Sequence, residues 1–309
     1  VLQVTATYST HGASWIATWG IGQMRATLLP TSSGNTTSTI RQVEMMQAFG
    51  TTVLFSTPTY ARVMAETAMS RGIDPRRSAV RTLLIAGEVT TPELRRSLEE
   101  LWDARVHDLF GTMETLIWSS VDCVESSRQG GALGMHVWDD AVVIEVLDDE
   151  GNPCADGEYG DMTVTSWING LSPKFRYRMG DRVALTHEPC PCGLDTPRML
   201  PVAGRVDDML RINAQNIWPV NIEELVRRVV PQVGEYVAIA ERASGRDRLR
   251  LVVECDDQEW SEATADRLAA EFKAMLAVSV VVEHAPNGAT APLTGAGQLL
   301  KVHRIVDER

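Results

Sequence analysis

Residues 175–219 read FRYRMGDRVALTHEPCPCGLDTPRMLPVAGRVDDMLRINAQNIWP, and this run organises the rest of the chain. Tyr177-Arg178-Met179-Gly180-Asp181 sets a carboxylate on a turn after a basic, aromatic segment. Cys190 and Cys192 form a tight Cys-x-Cys pair flanked by Pro and Gly. Gly204-Arg205-Val206-Asp207-Asp208 then breaks the pattern before a short apolar strand. A carboxylate, a thiol pair and a charged break this close together point to a nucleotide site, a metal site and a domain joint.

The 309 residues suffice for one large and one small domain. Hydrophobic content of 44% and charged content of 23% are those of a soluble globular protein. A net charge of −12 argues against a nucleic-acid partner, because phosphate recognition needs a basic face. No apolar run reaches the roughly 18 residues of a membrane span. No signal peptide is read at the start either, so a cytoplasmic setting without a membrane partner is expected. The five cysteines are clustered rather than spread as a disulfide framework, which reads as metal ligands or free thiols.

From Val1 to Leu109 strands alternate with helical patterns. VLQVTATYST and GQMRATLLP read as strands, and TSTIRQVEMMQAFG as an amphipathic helix ending at Gly50. TTVLFSTP, RTLLIAGE and ARVHDLFG are further strands, separated by the helices TYARVMAETAMSRG and TPELRRSLEELW. The opening strand lies inside a domain, so a further N-terminal segment is expected upstream. Alternation of this kind predicts a mainly parallel sheet with helices on its faces. Ligands then sit at the C-terminal ends of the strands, which singles out Ser56-Thr57-Pro58, Gly87-Glu88-Val89 and Gly111-Thr112-Met113-Glu114. A Glu on such a loop suits Mg²⁺, which takes carboxylate and phosphate oxygens; alone, Glu114 reads equally as a solvated loop residue or helix cap. Ser32–Thr37 reads as a strand-to-helix turn with a cap rather than a triphosphate cradle, since no Gly-Lys follows.

Between Asp122 and Ser166 the pattern turns to β, with Asp-Gly and Gly-Asn turn chemistry. Beyond Asp207 the segments DMLRI, NIEELVRRVV, EYVAIAE, RLRLVVEC, SEATADRLAAEFKAMLA and VSVVVEH follow a β-α-β-β-α-β order. The expected fold class is therefore an α/β large domain, with a mainly parallel sheet, helices and a β-subdomain, over residues 1–205. A small α+β ferredoxin-like C-terminal domain over 206–309 follows it.

Cys123, His136, Cys190 and Cys192 form a candidate Zn²⁺ set, because a closed Cys₃His tetrahedron is a structural zinc site. His187, three residues before Cys190, is the rival fourth ligand. The alternative is free thiols in a turn, with His136 an ordinary strand histidine. Cys154 and Cys255 are isolated and read as packing or surface thiols.

With Phe110-Gly111-Thr112-Met113-Glu114 upstream and Lys301 to Asp307 at the C-terminus, these motifs stand in the order of the adenylate-forming superfamily. The chain resembles most closely its phenylacetate–CoA ligase branch, from about Tyr8 to Arg309. The resemblance implies a set of roles. Phe110 packs on adenine, Asp108 lies at the adenine edge, Thr112 meets phosphate and Glu114 holds Mg²⁺. Gly87, Glu88 and Gly111 belong to the nucleotide loops. Asp181 accepts both ribose hydroxyls, Arg205 reaches the ribose or phosphates, and Asp207 is the hinge of a mobile C-terminal domain. Lys301 swings in toward the acyl phosphate. Tyr8, His11 and Trp15 line an aryl pocket; Trp15 and Trp19 read equally as core. Relatives with CPCG carry an upstream Cys and a Gly-x-His, matched by Cys123 and Gly134-Met135-His136. The family's phosphate loop with its Lys is not found in the chain, which fits the expected upstream segment.

The implied function is ATP-dependent adenylation of a carboxylic acid, with pyrophosphate release, followed by transfer to CoA. Three departures bear on it. Met113 stands at the usual hydroxyl position, Leu300 where Gly is usual, and Asn213-Ala214 replaces the Arg-Gly that lets backbone approach the pantetheine thiol. A carrier-protein thiol, an amine or a diazotisation-type acceptor therefore remains an alternative to CoA. A catalytically silent ligand-binding relative is the other reading. A homodimer stays open.

Overall fold

The computed structural model describes residues 1–10, 12–115, 117–168, 170–212, 215–243, 246–256, 258, 260–295 and 302–309. The chain divides into two compact units, Val1–Ala203 and Gly204–Arg309. No helix among the described residues is long and apolar enough to cross a membrane.

The first unit opens with β1 (Leu2–Val4), α1 (Gly12–Gln23), β2 (Leu28–Pro30), α2 (Thr39–Ala48), β3 (Val53–Ser56) and α3 (Pro58–Ser70). It continues with β4 (Thr82–Ala86), α4 (Pro92–Trp102), β5 (Arg105–Thr112), β6 (Ile117–Val121), α5 (Val124–Arg128) and β7 (Met135–Val137). β8 (Val142–Leu147), β9 (Gly160–Ser166), β10 (Lys174–Val183), β11 (Leu185–Thr186) and β12 (Arg198–Met199) complete it. One nine-stranded sheet runs β11-β12-β7-β6-β5-β4-β3-β1-β2. β2, β1, β3, β4 and β5 are mutually parallel, and every pairing from β5 outward to β11 is antiparallel.

Two strand-to-helix turns share one chemistry. Thr57 caps α3 and Thr91 caps α4, each side-chain oxygen accepting a backbone N–H three residues on, and Pro58 and Pro92 open the helices. The Thr oxygen satisfies an orphan donor while the proline presets φ. The helices bury Ala61, Met64, Ala65, Leu94, Leu98 and Trp102 against Leu54, Leu83, Ile85 and Val106 of the strands. Trp102 is sealed, and its indole N–H donates to the Ala61 carbonyl at 3.1 Å.

Two strand readings are corrected. VLQVTATYST pairs only over Leu2–Val4, because just past β2 the Thr31 and Ser32 N–H groups both turn onto the Val4 carbonyl, with Ser32 at φ +62°, and the neighbouring chain bends away. GQMRATLLP is mostly not strand: α1 runs to Gln23 and only Leu28–Pro30 joins the sheet. Ala13, Ala17 and Ile21, spaced by four, pack against Leu2, Val4 and Phe55, which requires helix here.

β8, β9 and β10 form an antiparallel set, whose apolar residues share a core with Met135, Val137 and Met199 of the large sheet. Gly180, at φ +77°, lies within the register shift between Arg178 and Arg182. Met179, Asp181 and Val183 are all buried.

The second unit contains β13 (Gly204–Arg205), β14 (Leu210–Ile212), β15 (Gln215–Ile217), α6 (Pro219–Val229), β16 (Tyr236–Ala243), β17 (Arg246–Glu254), α7 (Glu262–Leu276), β18 (Val280–Ala285), α8 (Ala291–Thr294) and β19 (Ile305–Asp307). It is the small α+β domain anticipated, with two differences from the ferredoxin-like order. Its sheet runs β18-β17-β16-β19, so the last strand takes an edge. β14, expected as the first sheet strand, instead pairs with β15, Leu210 facing Ile217. Segments so near in sequence lose little entropy on pairing with each other.

Candidate functional site

Tyr8, Gly87-Glu88 and Met113-Glu114 follow the C-terminal ends of β1, β4 and β5, and Thr112 is the last residue of β5. Side-chain hydrogen bonds tie these loops to their neighbours. Glu88 Oε2 accepts from Thr59 Oγ1 at 2.5 Å and from the Thr59 N–H at 3.2 Å, so its negative charge sits at the N-terminus of α3. The Tyr8 N–H donates to Ser32 Oγ at 3.3 Å. The Gly12 N–H, at the start of α1, donates to Met113 Sδ at 3.2 Å. The thioether that stands where a hydroxyl was expected thus ties the Glu114 loop to the helix that carries Trp15.

Tyr8 and Trp15 meet edge to face, ring centroids 5.1 Å apart. Tyr8 Oη shares a 2.8 Å hydrogen bond with Thr18, and burial raises its phenol above the ordinary range. Trp15 is 49% exposed and donates to the Ser9 carbonyl, so it is a surface-facing wall rather than core. Phe110 packs against the core that contains Met179 and Val183, each two residues from buried Asp181. Gly87 takes φ +88°, where a side chain would be strained. Gly111 lies at the register shift between β5 and β6. Thr112 Oγ1 accepts the Thr115 N–H, and the Glu114 carboxylate has no partner among the described residues. Burial pushes Asp108 up to about 7, against the pull of Arg95 and with a further push from Asp122. Arg205 and Asp207 belong to the second unit, Asp207 within a short 3₁₀ turn over Val206–Asp208. His11, Asn213, Ala214, Leu300, Lys301 and the side chain of Asp207 lie outside the described residues.

The second constellation is the thiol cluster. One ligand atom each from Cys123, His136, Cys190 and Cys192 lies within 4.8 Å of all the others. Cys123 Sγ is 3.7 Å from Cys190 Sγ, and Cys192 Sγ is 3.3 Å from His136 Nε2. A tetrahedral ion with Zn–S near 2.3 Å and Zn–N near 2.0 Å sets such edges at about 3.5–3.8 Å, so the donor set fits Zn²⁺. Backbone N–H groups of Ser126 and Leu194 point at Cys123 and Cys192, as suits thiolates. Burial pushes Cys123 up to about 11. Cys190 is buried too, but hydrogen bonds from Cys192 and Cys123, with the Arg198 guanidinium, hold it below the ordinary thiol range.

His136, not His187, completes the set. β7 pairs with β12, His136 opposite Arg198, which turns Nε2 to the cluster while Nδ1 bonds Thr196 Oγ1 at 2.9 Å. Nδ1–H donation to Thr196 leaves Nε2 as the ligand lone pair. Burial and the Arg198 guanidinium lower the His136 pKa, which favours the neutral ring. His187 instead lies mostly exposed against Asp156, Nδ1 2.7 Å from Oδ1. Gly134 is required two residues before His136: it takes φ +81°, and a Cβ would lie 2.7 Å from the Met199 carbonyl oxygen.

Reading the sequence missed Thr196, Arg198, Arg95 and Asp122, because each acts through partners distant in the chain and none belongs to a local motif.

A profile described as AMP-binding enzyme matches residues 5–167, and one described as AMP-binding enzyme C-terminal domain matches residues 214–309. The chain belongs to the AMP-binding enzyme family. Among curated members, the phenylacetate-coenzyme A ligase of Thermus thermophilus is 30% identical over 303 residues, covering 92% of this chain and 66% of that protein. The enzyme of the same name from Aromatoleum evansii is 26% identical, covering 95% and 65%. The chain thus spans just under two thirds of the length of either relative. A crystal structure of 2-hydroxyisobutyryl-CoA ligase in complex with 2-HIB-AMP superposes with a TM-score of 0.89 at 26% identity, covering 100% of this chain and 65% of that one. The chain therefore stands in the phenylacetate–CoA ligase branch of the adenylate-forming superfamily, and its thiol cluster lies within the large unit that carries the strand-end loops.

Proposed function

We propose that the chain carries the nucleotide-binding core and C-terminal domain of an AMP-forming acid–CoA ligase. In the first half-reaction a carboxylate oxygen attacks the α-phosphorus of ATP, and pyrophosphate leaves with the electron pair of the broken P–O bond. In the second, the CoA thiol gives up its proton and attacks the acyl carbon, and AMP leaves.

The observation that carries this reading is the linking of strand-end loops across one edge of a parallel sheet. Glu88 reaches Thr59, Met113 reaches Gly12 and Tyr8 reaches Ser32. Phe110 and Asp108 would frame the adenine, with Gly87, Glu88 and Gly111 shaping the loops around it. Asp181 would take the ribose hydroxyls, since a carboxylate offers two acceptors to a vicinal diol. Thr112 and Arg205 would meet phosphate oxygens. Glu114 would hold Mg²⁺, which supplies charge stabilisation at the phosphates when bound. Lys301 would add positive charge as negative charge builds on the α-phosphate, after the C-terminal domain turns about Asp207. Tyr8, His11 and Trp15 would line the acid pocket, whose aromatic wall favours an aryl acid. Zn²⁺ on the four-residue cluster would pin two loops and take no part in the chemistry.

A second acceptor class, a carrier-protein thiol or an amine, is favoured by Ala214 at the position where relatives carry glycine. The test is pyrophosphate release by the full chain with ATP and a panel of phenylacetate, benzoate and 2-hydroxyisobutyrate, with mass spectrometry for acyl-AMP. CoA, a carrier protein or an amine is then added. Acid-dependent pyrophosphate release and a CoA thioester are expected. ATP binding without acid-dependent release would leave the silent ligand-binding reading.

A further inference from the structure

Building on the nucleotide reading above, we propose that the buried Arg95–Asp122 pair is a positioning device that fixes Asp108 at the adenine edge and ties it to the cysteine–histidine cluster. The two side chains are 4% and 1% exposed, and Arg95 Nη2 donates to Asp122 Oδ2 at 2.6 Å. Arg95 Nη1 donates to the Val106 carbonyl at 2.8 Å. Asp122 Oδ2 also accepts the Asp108 N–H at 3.1 Å, and the Asp122 N–H donates to the Asp108 carbonyl at 2.9 Å. Asp122 Oδ1 accepts from Ser126 Oγ at 3.2 Å. One guanidinium and one carboxylate thus grip β5 at Val106 and Asp108, and grip the first turn of α5. The cap of α5 is Cys123, the residue after Asp122. Gly131, at φ +84°, leaves room for the device, since a Cβ there would lie 2.9 Å from Arg95 Nη2.

Stability alone is a poor reason for this pair. A buried ion pair replaced by apolar residues of similar volume is commonly neutral or more stable. What apolar residues would not reproduce is the side-chain bonding to the Val106 carbonyl and to the N–H of Asp108, two residues before Phe110. A displaced Asp108 would lose contact with one base edge but not with the phosphates that every nucleoside triphosphate shares.

The discriminating variant is Arg95→Met/Asp122→Leu in the full chain, which removes both charges together, so that no buried charge is left unpaired, and takes the acceptor from the Asp108 N–H and the Ser126 hydroxyl. Binding of ATP and of GTP is measured by isothermal titration calorimetry, with zinc content and thermal midpoint as controls. The wild type is expected to prefer ATP. The double variant is expected to keep its zinc and fold, to lose about tenfold to a hundredfold in ATP affinity, and to bring the ATP-to-GTP ratio toward one. An equal loss for both nucleotides, or an unchanged ratio, overturns the positioning role. A wild type that binds neither nucleotide overturns the nucleotide reading, and this proposal with it. If the double variant does not fold, Asp122→Asn is measured in the same way: a smaller fall in the ratio supports the proposal, and an unchanged ratio overturns it.

Discussion

Cys123 Sγ lies 3.7 Å from Cys190 Sγ, although 67 residues separate them in the chain. A disulfide would draw the sulfurs to about 2.05 Å, whereas two thiolates on one tetrahedral Zn²⁺ stand about 3.8 Å apart. The protein as purified is expected to carry about one zinc per chain, read by atomic emission. Cys192→Ser should abolish stoichiometric zinc, and Thr196→Val, which frees Nδ1 of His136, should weaken it about 10- to 100-fold in competition with a chromophoric chelator. A wild type with no zinc after expression in zinc-supplemented medium would remove the metal from the picture.

Gly134→Ala forces a side chain into the left-handed region and against the Met199 carbonyl. The expected loss is at least about 1–2 kcal/mol from backbone strain alone, measured as a lower urea midpoint with an unchanged slope. Because His136 is two residues on, zinc affinity should fall too. An alanine variant of wild-type stability would show that the turn is not as tight as described.

Asp108 supplies a pH signature. Its carboxyl is pushed up to about 7 from an ordinary value of 3.8, so between about pH 4 and 7 the folded state keeps a proton that the unfolded state has lost. Its contribution to stability is therefore full below about pH 4 and lost as pH rises toward 7. Thermal midpoints of the wild type minus those of Asp108→Asn should fall steadily across this window; a constant difference contradicts the assignment.

Asp181→Asn tests the ribose role. Hydrogen bonds to a charged group are worth about 1.5–3 kcal/mol, so ATP affinity should drop about 10- to 100-fold. Binding of 2′,3′-dideoxy-ATP, which lacks the hydroxyls, should be alike in the two proteins. An equal drop for both nucleotides would point to general damage at a buried position.

Much of this molecule was legible in its sequence because the signals are local. Thr57-Pro58 and Thr91-Pro92 announce helix starts through a side-chain acceptor and a preset φ. Cys190-Pro191-Cys192-Gly193 announces a thiol turn, and strand–helix alternation up to Leu109 announces parallel pairing. These effects act within a few residues, so no partner from elsewhere is needed to read them. Tertiary structure decided the rest, because β pairing joins residues tens of positions apart. It made α1 helical as far as Gln23 by burying Ala13, Ala17 and Ile21. It gave the edge beside β16 to the distant β19, while β14 stayed outside the small sheet. It chose His136 over His187 by setting β7 against β12 while Asp156 engaged His187. It also placed Arg95 against Asp122, a buried pairing of charges to which neither residue's neighbours in the sequence give any clue.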